Sequence, residues 1–250
     1  MPSRWFARGE VGPDTIVELN KKWIILETIN EQVFQTHEQS PPNSTSFACT
    51  RLLCTEAETG MQAHMRIYKQ IPIEGTEAEP AAIRAQQASS CYPRELKALH
   101  TLTQKRSVIT PRLLDSKNDR QESTGLVPGG FVLWVVWELL PGIRLGNHLG
   151  GSKFWDMERT QRDTIREAFK EGIMKLYLWG YYPHFGRCRS LVWNAQTSNL
   201  YFVGFFMANS VSRPETWSPA IWAEWGLARP PKSCHFWWPT WDGSTEGWEW

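Results

Sequence analysis

The sequence predicts an α+β protein, a small mixed sheet-plus-helix half followed by a more helical half, and three observations carry that reading. Residues 62–72 alternate in polarity, residues 130–140 form an almost unbroken apolar run, and residues 157–179 repeat their apolar side chains three or four apart. Alternation marks a half-buried strand, a short continuous apolar run marks a strand covered on both faces, and the wider spacing marks an amphipathic helix. With 250 residues, 41% of them hydrophobic and 21% charged, the chain can bury one core or two small lobes around a cleft.

Taken in order, Ile16, Val17 and Leu19, then Trp23, Ile24, Ile25 and Leu26, predict a short helix or strand and then a buried segment. Residues 36–47 carry two prolines and almost no apolar side chain, so they read as a loop. In 62–72, Ala63, Met65 and Ile67 share one face and His64, Arg66 and Tyr68 the other. Residues 79–102, rich in Ala, Gln, Glu and Leu, predict a helix in two pieces broken at Pro93. Glu95 then falls in a first helical turn, where a carboxylate is favoured. Residues 107–114 and 130–140 read as strands, the second ended by Pro141-Gly142. In 157–179, Ile165, Phe169, Ile173 and Leu176 define the buried stripe, and Gly180 is the natural stop. Residues 191–193 and 200–203 flank a turn-rich segment and predict a hairpin.

Charge recruits no polyanion: Lys and Arg number 27 against 26 Asp and Glu, so neither nucleic acid nor an acidic membrane is an expected partner. No stretch approaches the roughly 20 apolar residues of a membrane span, and residues 1–10 lack a signal peptide's apolar centre, so a cytoplasmic protein is expected. The five cysteines are scattered without a Cys-x-x-Cys pair, which predicts free thiols and no zinc. Cys188 stands between Arg187 and Arg189, two cations that could lower a thiol's pKa. Cys234-His235 is an adjacent pair of ligand types with no second pair to complete a metal site. Tryptophan is the outlier, since 15 are present and eight of them fall in residues 217–250. Such a tail must bury aromatic surface against something.

A strand with a cation, a helix with a glutamate, an apolar strand ending in Glu138-Leu139-Leu140-Pro141-Gly142, a long helix, a loop, a hairpin and an x-Phe-x triplet follow one another in the chain. This order resembles the two-lobed protein-kinase-like fold, and more narrowly the fungal kinase-like proteins related to aminoglycoside and choline phosphotransferases. The resemblance spans residues 47–230 and is most specific in the block 180–194 and in Tyr201 to Phe206. It implies an N-terminal lobe of residues 1–137 and a shortened C-terminal lobe of 138–250 with the aromatic tail. Active relatives carry Gly-x-x-His-x-Asp-x-x-x-x-Asn-x-x-Trp-Asp and then Asp-Phe-Glu or Asp-Phe-Gly. On that pattern the catalytic-loop histidine falls on Pro183, the catalytic aspartate on Phe185, the metal-binding asparagine on Ser190 and the second metal-binding aspartate on Gly204. Phosphoryl transfer needs a carboxylate at the attacking hydroxyl and hard oxygen ligands for magnesium, and these positions no longer supply them.

The resemblance also places the phosphate-clamping lysine on Arg66 and its helix partner on Glu95, a pair that reads as a structural latch or as part of the site. No glycine occurs between Pro13 and Thr59, so a phosphate-cradling loop is missing. Trp137 borders the adenine pocket of the resembling fold, or is ordinary core, and Glu138 follows it. The expected result is a pseudokinase whose inter-lobe cleft, lined by Trp137, Glu138, Phe185, Ser190, Gly204 and Phe206, binds an apolar or aromatic small molecule. Arg66, His184 and Glu95 are its candidate catalytic groups, for a cyclase or isomerase of fungal specialised metabolism needing no cofactor and no metal. The competing expectation is a regulator that binds a protein partner through its Trp-rich tail.

Overall fold

The computed structural model describes residues 5–37, 39–41, 44–184, 186–211 and 215–250. The chain forms two units, one of Met1–Tyr92 with Leu113–Leu139 and one of Pro93–Arg112 with Leu140–Trp250. Both strands and helices are present, so the α+β class holds.

The first unit comprises α1 (Arg8–Val11), β1 (Ile16–Glu18), β2 (Lys22–Phe34), β3 (Phe47–Glu56), β4 (Gln62–Gln70), α2 (Ala81–Ala85), β5 (Leu113–Arg120) and β6 (Phe131–Glu138). Its six strands make one sheet in the order β1-β2-β3-β4-β6-β5, antiparallel throughout. The alternating segment becomes β4, but it lies between β3 and β6 and is buried on both faces, not half-buried as its polarity predicts. Trp5, Phe6 and Val11 from the N-terminal segment pack with Trp23, Ile25, Leu52, Met65 and Val136 to form this unit's core. The turn between β1 and β2 is tied to β5 by Asp115, which accepts from Asn20 Nδ2 at 2.7 Å, from the Lys21 amide at 3.0 Å and from the fully buried Trp23 indole at 3.1 Å.

Two expectations need correction here. The strand read at 107–114 runs instead from Leu113 to Arg120, because Ser107 organises a turn: its hydroxyl accepts from the Ile109 amide and the Thr110 hydroxyl. The helix expected over 79–102 in two pieces broken at Pro93 does form as two, but the first shrinks to α2 and the second, α3 (Arg94–Gln104), lies in the second unit, each starting just after a proline.

The second unit adds β7 (Ile143–Arg144), α4 (Ser152–Trp155), α5 (Arg159–Trp179), β8 (Tyr181–Pro183), β9 (Leu191–Asn194), β10 (Asn199–Phe202), β11 (Ala208–Ser210) and α6 (Ala220–Glu224). α3 therefore groups with this unit, where it packs near β8 and β11, rather than with residues 1–137. The predicted amphipathic helix is α5, and Gly180 ends it at φ 89°, its amide bonded to the Leu176 and Tyr177 carbonyls. Its stripe of Ile165, Phe169, Ile173 and Leu176 is fully buried. The predicted hairpin is β9-β10, with β7 on its outer side, and β8 pairs with β11. Phe169, Phe202 and Trp225 meet with ring centres 5.0 to 5.7 Å apart. The tail is partly internal and partly exposed: Trp225 and Trp248 are buried, while Trp237 and Trp238 keep 61% and 55% of their surface in water. Trp250 stacks on Trp248 and meets Trp222 edge-on, with the Arg166 guanidinium 5.3 Å from its ring centre.

Candidate functional site

The second unit contains a cavity of about 740 Å³ bounded by the loop 147–151, by His184 and residues 186–189, by the end of α6 and by Phe236 and Trp237. Glycines let the backbone of its walls pack directly on the interior behind them. A Cβ on Gly186 would lie 2.1 Å from the Trp225 ring, and one on Gly151 would lie 2.7 Å from Cys188 Sγ. A short 3₁₀ turn at Cys188–Ser190 then points its side chains alternately, with Arg187 and Arg189 outward and Cys188 and Ser190 inward.

Charge on the lining is predominantly positive. Arg187 and Arg189 stand against one carboxylate, Glu224, with the imidazoles of His148 and His184 also on the lining, and all five side chains are exposed. Partial burial of the Glu224 carboxyl and then the negative charge of Glu215 raise its pKa above the ordinary carboxylate value. Cys188 behaves opposite to the expectation from its arginine neighbours. Burial pushes its thiol up to about 12, against the pull of Arg229, and Sγ donates to the Trp225 carbonyl at 3.2 Å. Arg187 and Arg189 project into solvent, so Cys188 is a packing thiol and not a nucleophile.

Of the residues singled out from the sequence, His184 lies on this cavity. Arg66 is a buried residue of β4, its guanidinium 5.3 Å from the Trp137 ring centre in β6, and Trp137 in turn lies 5.7 Å from the His64 ring. Glu138 ends β6 and is half-buried. Glu95 is buried in the first turn of α3, in the other unit from Arg66. Ser190 and Gly204 are neighbours: the Val203 amide donates to the Ser190 carbonyl at 2.8 Å, and a Cβ on Gly204 would stand 3.2 Å from Ser190 Oγ. Phe206 is half-buried in a 3₁₀ turn, and Phe185 lies outside the described residues.

Asn147, His148, Glu224 and Phe236 were not anticipated, whereas Trp237 belongs to the tryptophan-rich tail that the sequence singles out. The run Gly146-Asn147-His148-Leu149-Gly150-Gly151 was the legible signal, polar residues bracketed by glycines. Among the described residues no group of three or more His, Cys, Asp or Glu gathers as a metal site, and no helix is long and apolar enough to cross a membrane. His235 instead stacks on Trp238 at 4.8 Å. No protein-family model and no curated protein matches this chain.

Proposed function

We propose that the second unit binds a planar organic anion in the cavity around His184 and converts it to an isomer by proton transfer. The observation that carries this reading is that His148, His184 and Glu224 line one cavity together with Arg187 and Arg189. The arginines supply the charge an anion requires, and Trp237 and Phe236 supply flat apolar surface at the mouth. A histidine on the lining removes a proton from the ligand, and the Glu224 carboxyl, whose affinity for a proton is raised by its surroundings, delivers one to a different ligand atom. Nothing is gained or lost, so the product has the substrate's mass, as a cyclisation or double-bond shift requires. The resemblance to phosphotransferases supports the absence of phosphoryl transfer, since Pro183, Phe185, Ser190 and Gly204 offer no carboxylate.

The test is incubation of the protein with a small-molecule extract of its source organism in deuterated water, followed by mass spectrometry. One component should convert to a product of the same elemental composition carrying deuterium from solvent. His184→Ala and Glu224→Gln should each slow this by about 10²-fold or more. The rate should fall as pH rises through a value above the ordinary carboxylate range, where Glu224 loses its proton. Conversion at an unchanged rate in both variants would overturn the assignment. The exposed pair Trp237 and Trp238 favours a second reading, a protein partner seated on the tail. Loss of a co-purifying protein on Trp238→Ala, with no metabolite converted, would establish it.

A further inference from the structure

We infer that the first unit carries a separate binding site for an apolar monocarboxylic acid, anchored on Lys69. The immediate cross-strand neighbours of Lys69 are apolar: it stands opposite Ala48 and Val132, and two residues away Ile67 stands opposite Trp134, with Asp119 and Lys117 farther along these rows on the edge strand β5. Only 8% of Lys69 is exposed. A cation on such a face is costly unless compensated, and a methionine would fill the same space without that cost.

Two cavities, of about 250 Å³ and about 680 Å³, meet at this ammonium and share Phe6, Glu10, Val132 and Trp134. The smaller one continues along Ile16, Val17 and Ile67, an apolar channel with the Lys69 charge in its wall. That charge is met from residues 5–10: by Glu10 Oε1 at 2.5 Å, the Trp5 carbonyl at 3.3 Å and the Phe6 ring at 4.9 Å. Glu10 sits on a four-residue helix with 45% of its side chain in water, and turning it outward gives up, besides Lys69, the bond its Oε2 accepts from the Ala7 amide at 2.7 Å. Of the other acids on these walls, Glu18 pairs with Lys22 at 3.2 Å and Asp119 with Lys117 at 3.1 Å. The cavity thus presents one cation whose carboxylate partner is replaceable, beside apolar space with no replaceable occupant. A ligand carboxylate takes the place of Glu10 on Lys69, and an alkyl or arylalkyl tail lies between Ile67, Val17 and Trp134.

Calorimetric titration of the full chain with decanoate, below its micelle concentration, tests this against decanol and decyltrimethylammonium. Decanoate should bind, and both comparison compounds should bind at least tenfold more weakly. Lys69→Met should lose about tenfold to a hundredfold in decanoate affinity, the worth of a charge-assisted hydrogen bond. Glu10→Gln should bind decanoate severalfold more tightly, because the internal competitor is gone. Isoleucine and valine methyl resonances should shift at Ile16, Ile67 and Val132, which separates this channel from the His184 cavity. Equal binding of decanol and decanoate, or a Glu10→Gln affinity equal to or weaker than that of the native chain, would overturn the proposal. These two comparisons decide the matter even if Lys69→Met fails to fold. A folded Lys69→Met that binds decanoate normally would reduce Lys69 to a latch for the N-terminal segment.

Discussion

Gly186→Ala isolates the packing that shapes the His184 cavity. A Cβ at 186 would fall 2.1 Å from Cζ2 of Trp225 and 2.5 Å from both Cε2 and Cη2, about 1.3 Å inside the 3.4 Å at which ordinary contact begins. The indole cannot retreat freely, because it is 3% exposed and its ring centre lies 5.0 Å from Phe169 and 5.7 Å from Phe202. Overpacking of this kind costs about 1 to 3 kcal/mol. Gly186 does not have a positive φ, so alanine meets no backbone penalty and the loss is steric. Gly9→Ala is the control, since nothing lies within 4 Å of its added Cβ and it sits in α1, where alanine should add roughly 0.5 to 1 kcal/mol. The three crowded atoms belong to the six-membered ring of the indole. Trp225→Phe, by removing part of that bulk, should make Gly186→Ala nearly neutral, a coupling of about 1 to 3 kcal/mol in a double-mutant cycle. Urea unfolding followed by near-ultraviolet circular dichroism would measure it. A Gly186→Ala variant as stable as the native chain, or additive with Trp225→Phe, would refute the contact.

The five thiols should separate by burial when labelled with a maleimide at pH 8. Cys234, half-buried, should react first, while Cys54 and Cys188, whose thiols burial pushes up to about 12, should react only after denaturation. Labelling of native Cys188 at the Cys234 rate would contradict its assignment to packing. Glu56 governs part of the acid limb of stability. Its carboxylate accepts from Lys21 at 2.8 Å and Thr59 at 2.6 Å, and these bonds hold it below the ordinary range. A depressed carboxyl stabilises the fold above its unfolded pKa and loses that contribution as pH falls through its folded one. Glu56→Gln should therefore lower the melting temperature at pH 7 and converge with the native chain at low pH, and an equal loss at both would place the effect elsewhere.

The parts of the fold legible in the sequence were those whose local pattern and tertiary setting agree. The stripe of α5 with Gly180 behind it, the apolar run of β6 and the β9-β10 hairpin all formed where period, cap and turn residues pointed together. β4 was misread as half-buried because His64 and Arg66 look like a solvent face, and a central strand can cover polar residues as well as apolar ones. β5 was misplaced for the converse reason: Leu-Leu-Asp-Ser-Lys-Asn-Asp-Arg has an edge strand's composition, mostly polar on its open side. Of the proposed site, His184 was legible as a titratable residue in a turn-rich block. Its companions were not, because His148 and Glu224 lie 36 and 40 residues away and only tertiary packing gathers them.

That packing also explains how a stable interior and a changeable site coexist on one short segment. In the stretch from Arg187 to Ser190 the inward residues are fixed by backbone. Cys188 fills the space left by Gly151, with its amide and thiol both bonded to the Trp225 carbonyl, and Ser190 fits the glycine at 204, whose φ of 88° leaves little room for any side chain. The outward residues, Arg187 and Arg189, touch none of this. Substituting them changes the charge the cavity presents without a cavity term in the core, so their loss should act on ligand affinity and leave stability within roughly 0.5 kcal/mol. Substituting Gly151, Gly186 or Gly204 does the reverse, moving Cys188, Trp225 or Ser190 and with them the wall itself. On the function proposed above, specificity would therefore be carried by the exposed rim at Arg187 and Arg189, while the shape of the wall follows from the packing of Gly151 and Gly186 on Cys188 and Trp225.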